Sequence, residues 1–281
     1  MIRLKTLLGA AIFSAMAFTG ANACSISAWS TTDSVGVVAA DSGEAPAFSR
    51  YSGRCSLRVV GGATPKYVQD NTPTNATAFK SRFYINTGSP LVDTGAAGFV
   101  FLARDGAGAN LIRIALTGGN LQATVTGSAA AIPAIPVVAG RYYSVEIEWA
   151  QGAAAPFSIK VQGAGAAAPT TQTTTTNNAS GVLKDVRLGL SAGSTGTVFL
   201  DEYDSRRTTA PGRLCRGDAN ADRAINIFDR GALNQDILAQ TANPGSNLAV
   251  GQPDCNEDGA VNIFDRGCVN GQIIANPLCA N

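Results

Sequence analysis

The stretch Tyr142-Tyr-Ser-Val-Glu-Ile-Glu-Trp149 alternates apolar with polar side chains. This period of two is typical of a β-strand with one buried face. A turn-rich segment follows it, and Phe157-Ser-Ile-Lys-Val161 then repeats the alternation. The two segments therefore predict a β-hairpin.

Similar short apolar runs, separated by Gly, Pro, Asp and Asn, extend from this hairpin in both directions. The runs are 57–60, 79–85, 99–104, 111–116, 121–125, 142–149, 157–161, 183–190 and 198–203. About nine strands with no long amphipathic helix between them predict an all-β sandwich over residues 24–210. The Ala- and Thr-rich segment 164–180 is expected to be a long mobile hairpin loop.

The order of these strands resembles the concanavalin A-like and laminin G-like jelly rolls. The resemblance is carried by Tyr142 to Trp149, Phe157 to Val161, Val186-Arg-Leu-Gly189 and Val198-Phe-Leu-Asp-Glu-Tyr203. It implies a jelly roll of about nine strands. Members of these families bind glycans, cleave β-glucans or do neither.

Two copies of an acidic 12-residue loop lie near the C-terminus, at residues 218–229 and 254–265. Oxygen-bearing side chains occupy loop positions 1, 3, 5, 9 and 12 in both, and a backbone carbonyl is available at position 7, which is the pattern that surrounds calcium with oxygen ligands. The predicted ligands are Asp218, Asn220, Asp222, Ala224, Asn226 and Asp229 for one ion, and Asp254, Asn256, Asp258, Ala260, Asn262 and Asp265 for the second. A solvated acidic turn explains one such loop but not two in register.

Each loop is predicted to begin without an entering helix, because Pro and Gly precede it, and to end in a helix. Position 6 requires a left-handed backbone and holds Arg223 in the first loop and Gly259 in the second. A residue other than Gly there costs on the order of 1 kcal/mol, so the first site is expected to be the weaker.

This duplicated loop-and-helix unit resembles the dockerin type I repeat over about residues 212–281, and we place the unit at 211–281. The resemblance implies a calcium-folded module that docks onto a cohesin-like protein. The chain departs from that pattern at loop positions 10 and 11, which hold Ile227-Phe228 and Ile263-Phe264. We expect these pairs to form core, because so small a module needs its large side chains buried.

Residues 1–23 have the features of a secretory signal peptide, with Arg3 and Lys5, an apolar run and Ala21-Asn-Ala23. The product is expected to be secreted, extracellular or periplasmic, without a membrane span. The six cysteines fit an oxidising compartment. Cys24 is expected to pair with Cys55. Three connectivities are open to the other four, and we favour Cys215 with Cys279 and Cys255 with Cys268.

The chain contains no His, which excludes His-dependent nucleophile systems and His-ligated zinc. Its 21 basic and 20 acidic residues leave no electrostatic footprint for nucleic acid. Glu146 and Glu148 project from one strand face, so they are weak candidates for a retaining O-glycosyl hydrolase pair. Tyr143, Trp149 and Tyr203 are candidate glycan platforms.

Three functions therefore remain open. The first is a secreted calcium-binding protein with a non-catalytic sandwich for carbohydrate or surface contact and a docking module. The second is a glycoside hydrolase, or another component of polysaccharide degradation, that uses Glu146 and Glu148. The third is a structural surface protein in which calcium only stabilises the fold.

Overall fold

The structure is a computed structural model that describes residues 25–32, 37–41, 50–179, 181–242 and 249–275, with the backbone alone at 32 and 37–41. The predicted signal peptide lies outside these ranges. The strands are β1 (Thr31–Thr32), β2 (Val37–Asp41), β3 (Cys55–Val60), β4 (Lys66–Asp70), β5 (Ala78–Asn86), β6 (Phe101–Asp105), β7 (Asn110–Thr117), β8 (Asn120–Val125), β9 (Ile135–Pro136), β10 (Tyr142–Ala150), β11 (Ala155–Gly163), β12 (Thr170–Thr176), β13 (Leu183–Leu190) and β14 (Thr197–Arg206). The helices are α1 (Ile227–Ala242) and α2 (Ile263–Ala275).

The strands form two antiparallel sheets, which confirms the all-β sandwich. The first sheet has the order β1-β4-β13-β6-β7-β8-β9, and the second has the order β12-β11-β10-β5-β14-β3-β2. The predicted hairpin is β10 and β11, paired from Tyr143 with Gly163 to Trp149 with Phe157. The other edge of β10 pairs with β5, so the hairpin lies inside the second sheet.

Each of the nine predicted apolar runs lies on a strand, but the described residues contain fourteen strands, so the prediction of about nine is too low. The expected mobile loop at 164–180 is also wrong in part. Residues Thr170–Thr176 form β12, which pairs with β11 along its length. The strand consists of Thr with one Gln, so it carries polar side chains on both faces and no apolar alternation. Its β-branched residues suit a strand at the edge of a sheet, where neither face needs to be apolar.

The sandwich core lies between the sheets, as the alternation in β10 predicts. Val145 and Ile147 are fully buried and Trp149 is 2% exposed. Phe83 of the second sheet stacks on Phe101 of the first, with ring centroids 5.5 Å apart. Contacts of this kind join the two layers into one core.

The C-terminal residues form two loop-and-helix units with a smaller core. No helix occurs in the described residues directly before the loops, at 207–217 and 249–253, and α1 and α2 follow the loops as predicted. Leu233 of α1 and Val269 of α2 are fully buried in the cluster between the units. No helix in the described part of the chain is long and apolar enough to span a membrane.

The cysteines agree with the favoured connectivity where the structure describes both partners. Cys255 forms a disulfide with Cys268, which ties the second loop to α2. Cys55 and Cys215 are each half of a disulfide as well. Their expected partners, Cys24 and Cys279, lie outside the described residues.

The expectation that the two Ile-Phe pairs form core is wrong. Phe228 and Phe264 are each 71% exposed, and Ile227 and Ile263 are 51% and 58% exposed. The pairs occupy the first two positions of their helices, whereas the residues that face the core lie further along, at Leu233 and Val269. The small core is completed by Cys255 and by Ala219, Ile225 and Val261 of the loops.

Candidate functional site

The first acidic loop folds around its own carboxylates. The backbone N–H groups of Asp222 and Arg223 donate to the Asp218 carboxylate at 3.1 and 2.9 Å. Those of Asn220 and Asn226 donate to the Asp229 carboxylate at 3.2 and 2.8 Å. The first and last predicted ligands therefore hold the backbone of the loop in a closed turn.

The second loop repeats this arrangement bond for bond. The N–H groups of Asp258 and Gly259 donate to Asp254 at 3.2 and 3.0 Å. Those of Asn256 and Asn262 donate to Asp265 at 3.1 and 2.8 Å. The sequence repeat is thus a structural repeat of two equivalent loops.

Within the described part of the chain, the predicted ligand carboxylates of both loops lack basic partners, and those of the first loop lie close together. One oxygen from each of Asp218, Asp222 and Asp229 lies within 4.8 Å of the others. Among the described residues, no Lys or Arg forms an ion pair with a predicted ligand carboxylate. Burial and the neighbouring charge of Asp265 raise the pKa of Asp254 to about 8. An all-oxygen cluster with uncompensated charge is the donor set of a hard divalent cation.

The backbone at position 6 is left-handed in both loops, as predicted. Arg223 has a φ of 69° and Gly259 a φ of 90°. Position 4 is also left-handed, with φ values of 61° at Ala221 and 57° at Glu257. At position 6 only the second loop has Gly, which adopts a left-handed backbone without strain, so the first loop carries the larger backbone strain.

Glu257 joins the second loop to the sandwich, a role that its sequence position gave no reason to expect. Its side chain is 2% exposed and forms ion pairs with Arg213 and Arg216. Its carboxylate also accepts the Tyr51 hydroxyl at 2.6 Å and the Gly165 N–H at 2.8 Å. The loop is therefore fixed to the strand ends of the second sheet.

Glu146 and Glu148 lie on one face, but they are engaged in ion pairs. Lys160 Nζ lies 2.9 Å from Glu146 and 2.8 Å from Glu148. Glu148 also pairs with Lys80 at 3.0 Å, and the hydrogen bond from Lys160 lowers the pKa of Glu148 although the side chain is partly buried. The Gly212 N–H donates to Glu146 at 2.8 Å, so the segment after β14 covers this carboxylate. A retaining pair needs one acid with a raised pKa, which Glu148 does not provide.

The candidate aromatic platforms separate into three environments. Trp149 belongs to the core and offers no open face, so its assignment as a platform is wrong. Tyr143 packs at the edge of the core, where its hydroxyl accepts the Val138 N–H. Tyr203 lines an open groove with Trp29, their ring centroids 5.2 Å apart. The sequence provides no signal that pairs Trp29 with a strand so distant along the chain.

No protein-family model matches this chain, and no curated protein matches its sequence. The fold is similar to that of the endo-β-1,4-glucuronan lyase from the fungus Trichoderma reesei, with a TM-score of 0.51 and 14% identity over 66% of this chain and 93% of that one. The cellulose-induced protein Cip1 has a TM-score of 0.44 and 15% identity, over 63% of this chain and 88% of that chain. The PL-14 alginate lyase from Aplysia kurodai has a TM-score of 0.40 and 10% identity, over 61% and 87%. At 14% identity, the similarity to the glucuronan lyase shows a shared sandwich fold alone.

Proposed function

We propose that the chain is an exported, calcium-binding protein whose sandwich contacts carbohydrate without cleaving it. The observation that carries the proposal is the pair of loops with equivalent backbone-to-carboxylate hydrogen bonds, of which the first brings an oxygen from each of three carboxylates within 4.8 Å of the others. In the first loop, Asp218, Asn220, Asp222 and Asp229 would hold one ion together with the Ala224 carbonyl and Asn226. The corresponding residues of the second loop would hold the other.

The fold of the sandwich supports contact with carbohydrate. A similar fold occurs in a polysaccharide lyase, the glucuronan lyase from Trichoderma reesei. A role in polysaccharide degradation is therefore the alternative. It is disfavoured for the Glu146 and Glu148 pair, because Lys160 forms ion pairs with both carboxylates, Lys80 pairs with Glu148, and the Gly212 N–H donates to Glu146.

Docking onto a cohesin-like protein is a second candidate role, favoured by the exposed Ile227-Phe228 and Ile263-Phe264 pairs. They place two equivalent apolar surfaces on the solvent side of the repeat, and exposed apolar surface is typical of an interaction site. Sedimentation of the full chain with a purified type I cohesin module, in calcium and in chelator, tests this role. Co-sedimentation in calcium that is lost on Phe228→Ala with Phe264→Ala supports it, and no complex in calcium rejects it.

Calorimetric titration of the chelator-treated full chain with calcium tests the metal proposal. We expect two binding events in the wild type and one in Asp258→Asn, because that change removes a ligand carboxylate from the second loop only. Asp105→Asn is the matched control, since Asp105 forms a similar turn within the sandwich. No calcium binding by the wild type, or two unchanged sites in Asp258→Asn, contradicts the proposal.

A further inference from the structure

A groove lies where the edge of the first sheet meets β14 of the second. It has a volume of about 500 Å³, within the range of small-ligand sites. Trp29, just before β1, and Tyr203 of β14 form one wall with their rings 5.2 Å apart and inclined by 33°. Asp70, at the end of β4, lines the same groove. Glu146 and Glu148 do not line this groove.

The backbone beside these rings is irregular. The register of β14 against β5 shifts at a bulge between Asp201 and Asp204, and Glu202 inside this bulge has a φ of 50°. Left-handed backbone at a residue other than Gly costs energy and concentrates at functional sites, and bulges redirect side chains at such places. Here the bulge places Glu202, Tyr203 and Asp204 along one groove.

The polar lining consists of hydrogen-bond acceptors and hydroxyls. Asp70, Glu202 and Asp204 supply carboxylates, and none of the described residues that line the groove is basic. Two guanidinium groups of the adjoining cavity reach these carboxylates, since Arg206 pairs with Asp204 at 2.8 Å and Arg82 approaches Glu202 at 3.7 Å. Asp70 forms no ion pair among the described residues, so its charge disfavours anionic ligands, and the lining as a whole accepts hydrogen bonds from neutral hydroxyl groups.

We infer that this groove binds a neutral, hydroxyl-rich oligosaccharide. A sugar ring stacks on Trp29 beside Tyr203, and its hydroxyls donate to Asp70 and Asp204. The Asp70 carboxylate is already oriented for this, since it accepts the Tyr203 hydroxyl at 3.1 Å and the Thr72 N–H at 2.8 Å. An amphipathic aromatic wall beside fixed polar groups is the arrangement that suits a sugar ring.

This inference deepens the proposed carbohydrate contact and rests on it. It names a neutral ligand, whereas a uronic acid polymer would bring carboxylates against Asp70, Glu202 and Asp204. Uronate oligosaccharides are therefore expected to bind weakly or not at all at this groove.

Tryptophan fluorescence of the full chain provides a local readout. The chain has two Trp residues, and Trp149 is 2% exposed in the core, so a ligand-induced change reports Trp29. Cellohexaose, laminarihexaose and mannohexaose are the neutral probes, and oligoalginate and oligoglucuronate are the anionic ones. We expect saturable binding of at least one neutral probe and none of the anionic probes.

Variants then locate the site. Trp29→Ala is expected to weaken binding, measured by calorimetry, by about tenfold or more, as truncation of an aromatic anchor does. Trp29→Phe should retain part of the affinity, and Asp204→Asn tests the carboxylate without removing an aromatic ring. Asp105→Asn, at a turn outside the groove, is the control and should bind as the wild type does.

The possible outcomes distinguish a failure of the groove assignment from a failure of the proposed carbohydrate contact. Neutral-probe binding that is unaffected by Trp29→Ala and Asp204→Asn, in folded variants, overturns the groove but leaves carbohydrate contact standing. Preferential binding of the anionic probes overturns the ligand class. No binding of any probe by the wild type overturns both the groove and the carbohydrate part of the proposed function, while calcium binding is judged separately by its own titration.

Discussion

Replacing Glu257 by Gln should destabilise the whole chain, because this side chain links the second loop to the sandwich. All of its named partners are donors or cations: the Tyr51 hydroxyl at 2.6 Å, the Gly165 N–H at 2.8 Å, and the guanidinium groups of Arg213 and Arg216. Gln removes the charge and directs an amide N–H₂ group at one of these donors. Two cations then lose their common counter-charge.

The size of the effect follows from burial. Breaking a buried ion pair by removing one partner costs about 3–5 kcal/mol. The Glu257 side chain is 2% exposed, but those of Arg213 and Arg216 are 19% and 33% exposed, so solvent compensates part of their charge. We therefore expect a loss of about 2–3 kcal/mol in the free energy of unfolding. For a chain of this size, that corresponds to a fall in Tm of roughly 5–10 °C.

Thermal and urea unfolding in saturating calcium, followed by tryptophan fluorescence, measures this loss. Ala221→Gln is the matched control, since Ala221 occupies the same position of the first loop with a similar φ but is exposed to solvent. The control should change stability by no more than about 0.5 kcal/mol. If Glu257→Gln shifts the transition no further than Ala221→Gln does, the ion-pair argument for this contact is refuted.

Two further changes test the backbone and the electrostatics. Arg223→Gly should tighten calcium binding at the first loop by roughly fivefold, because it removes on the order of 1 kcal/mol of strain at a φ of 69°; calorimetry that shows unchanged affinity contradicts this use of strain. Burial, with the charge of Glu202, raises the pKa of Asp201 to about 7, so the folded chain holds this proton more tightly than the unfolded chain. The free energy of unfolding should therefore fall as pH rises from about 4 to about 7, and Asp201→Asn should remove this contribution to the pH dependence. If urea unfolding at several pH values gives the same pH dependence for the variant and the wild type, the assignment is excluded.

The local order of the fold is readable from the sequence, because it depends on neighbours along the chain. Alternation in Tyr142–Trp149 predicts both a strand and its buried face, and Val145 and Ile147 are buried as expected. The loop positions of Arg223 and Gly259 predict left-handed backbone, since a 12-residue loop imposes its turns locally. The strand Thr170–Thr176 escapes detection, because an edge strand with two polar faces leaves no apolar period.

The tertiary structure decides which chemistry each side chain meets. Glu146 and Glu148 share a face by sequence, but their ion pairs come from Lys160 on β11 and Lys80 on β5. Trp29 meets Tyr203 only because β1 and β14 end at the same corner of the sandwich. Contacts across such distances in the chain depend on strand order and layer packing, which alternation along one strand does not encode. Period and loop spacing thus determine most of the strands and the two acidic loops, whereas packing alone creates the groove.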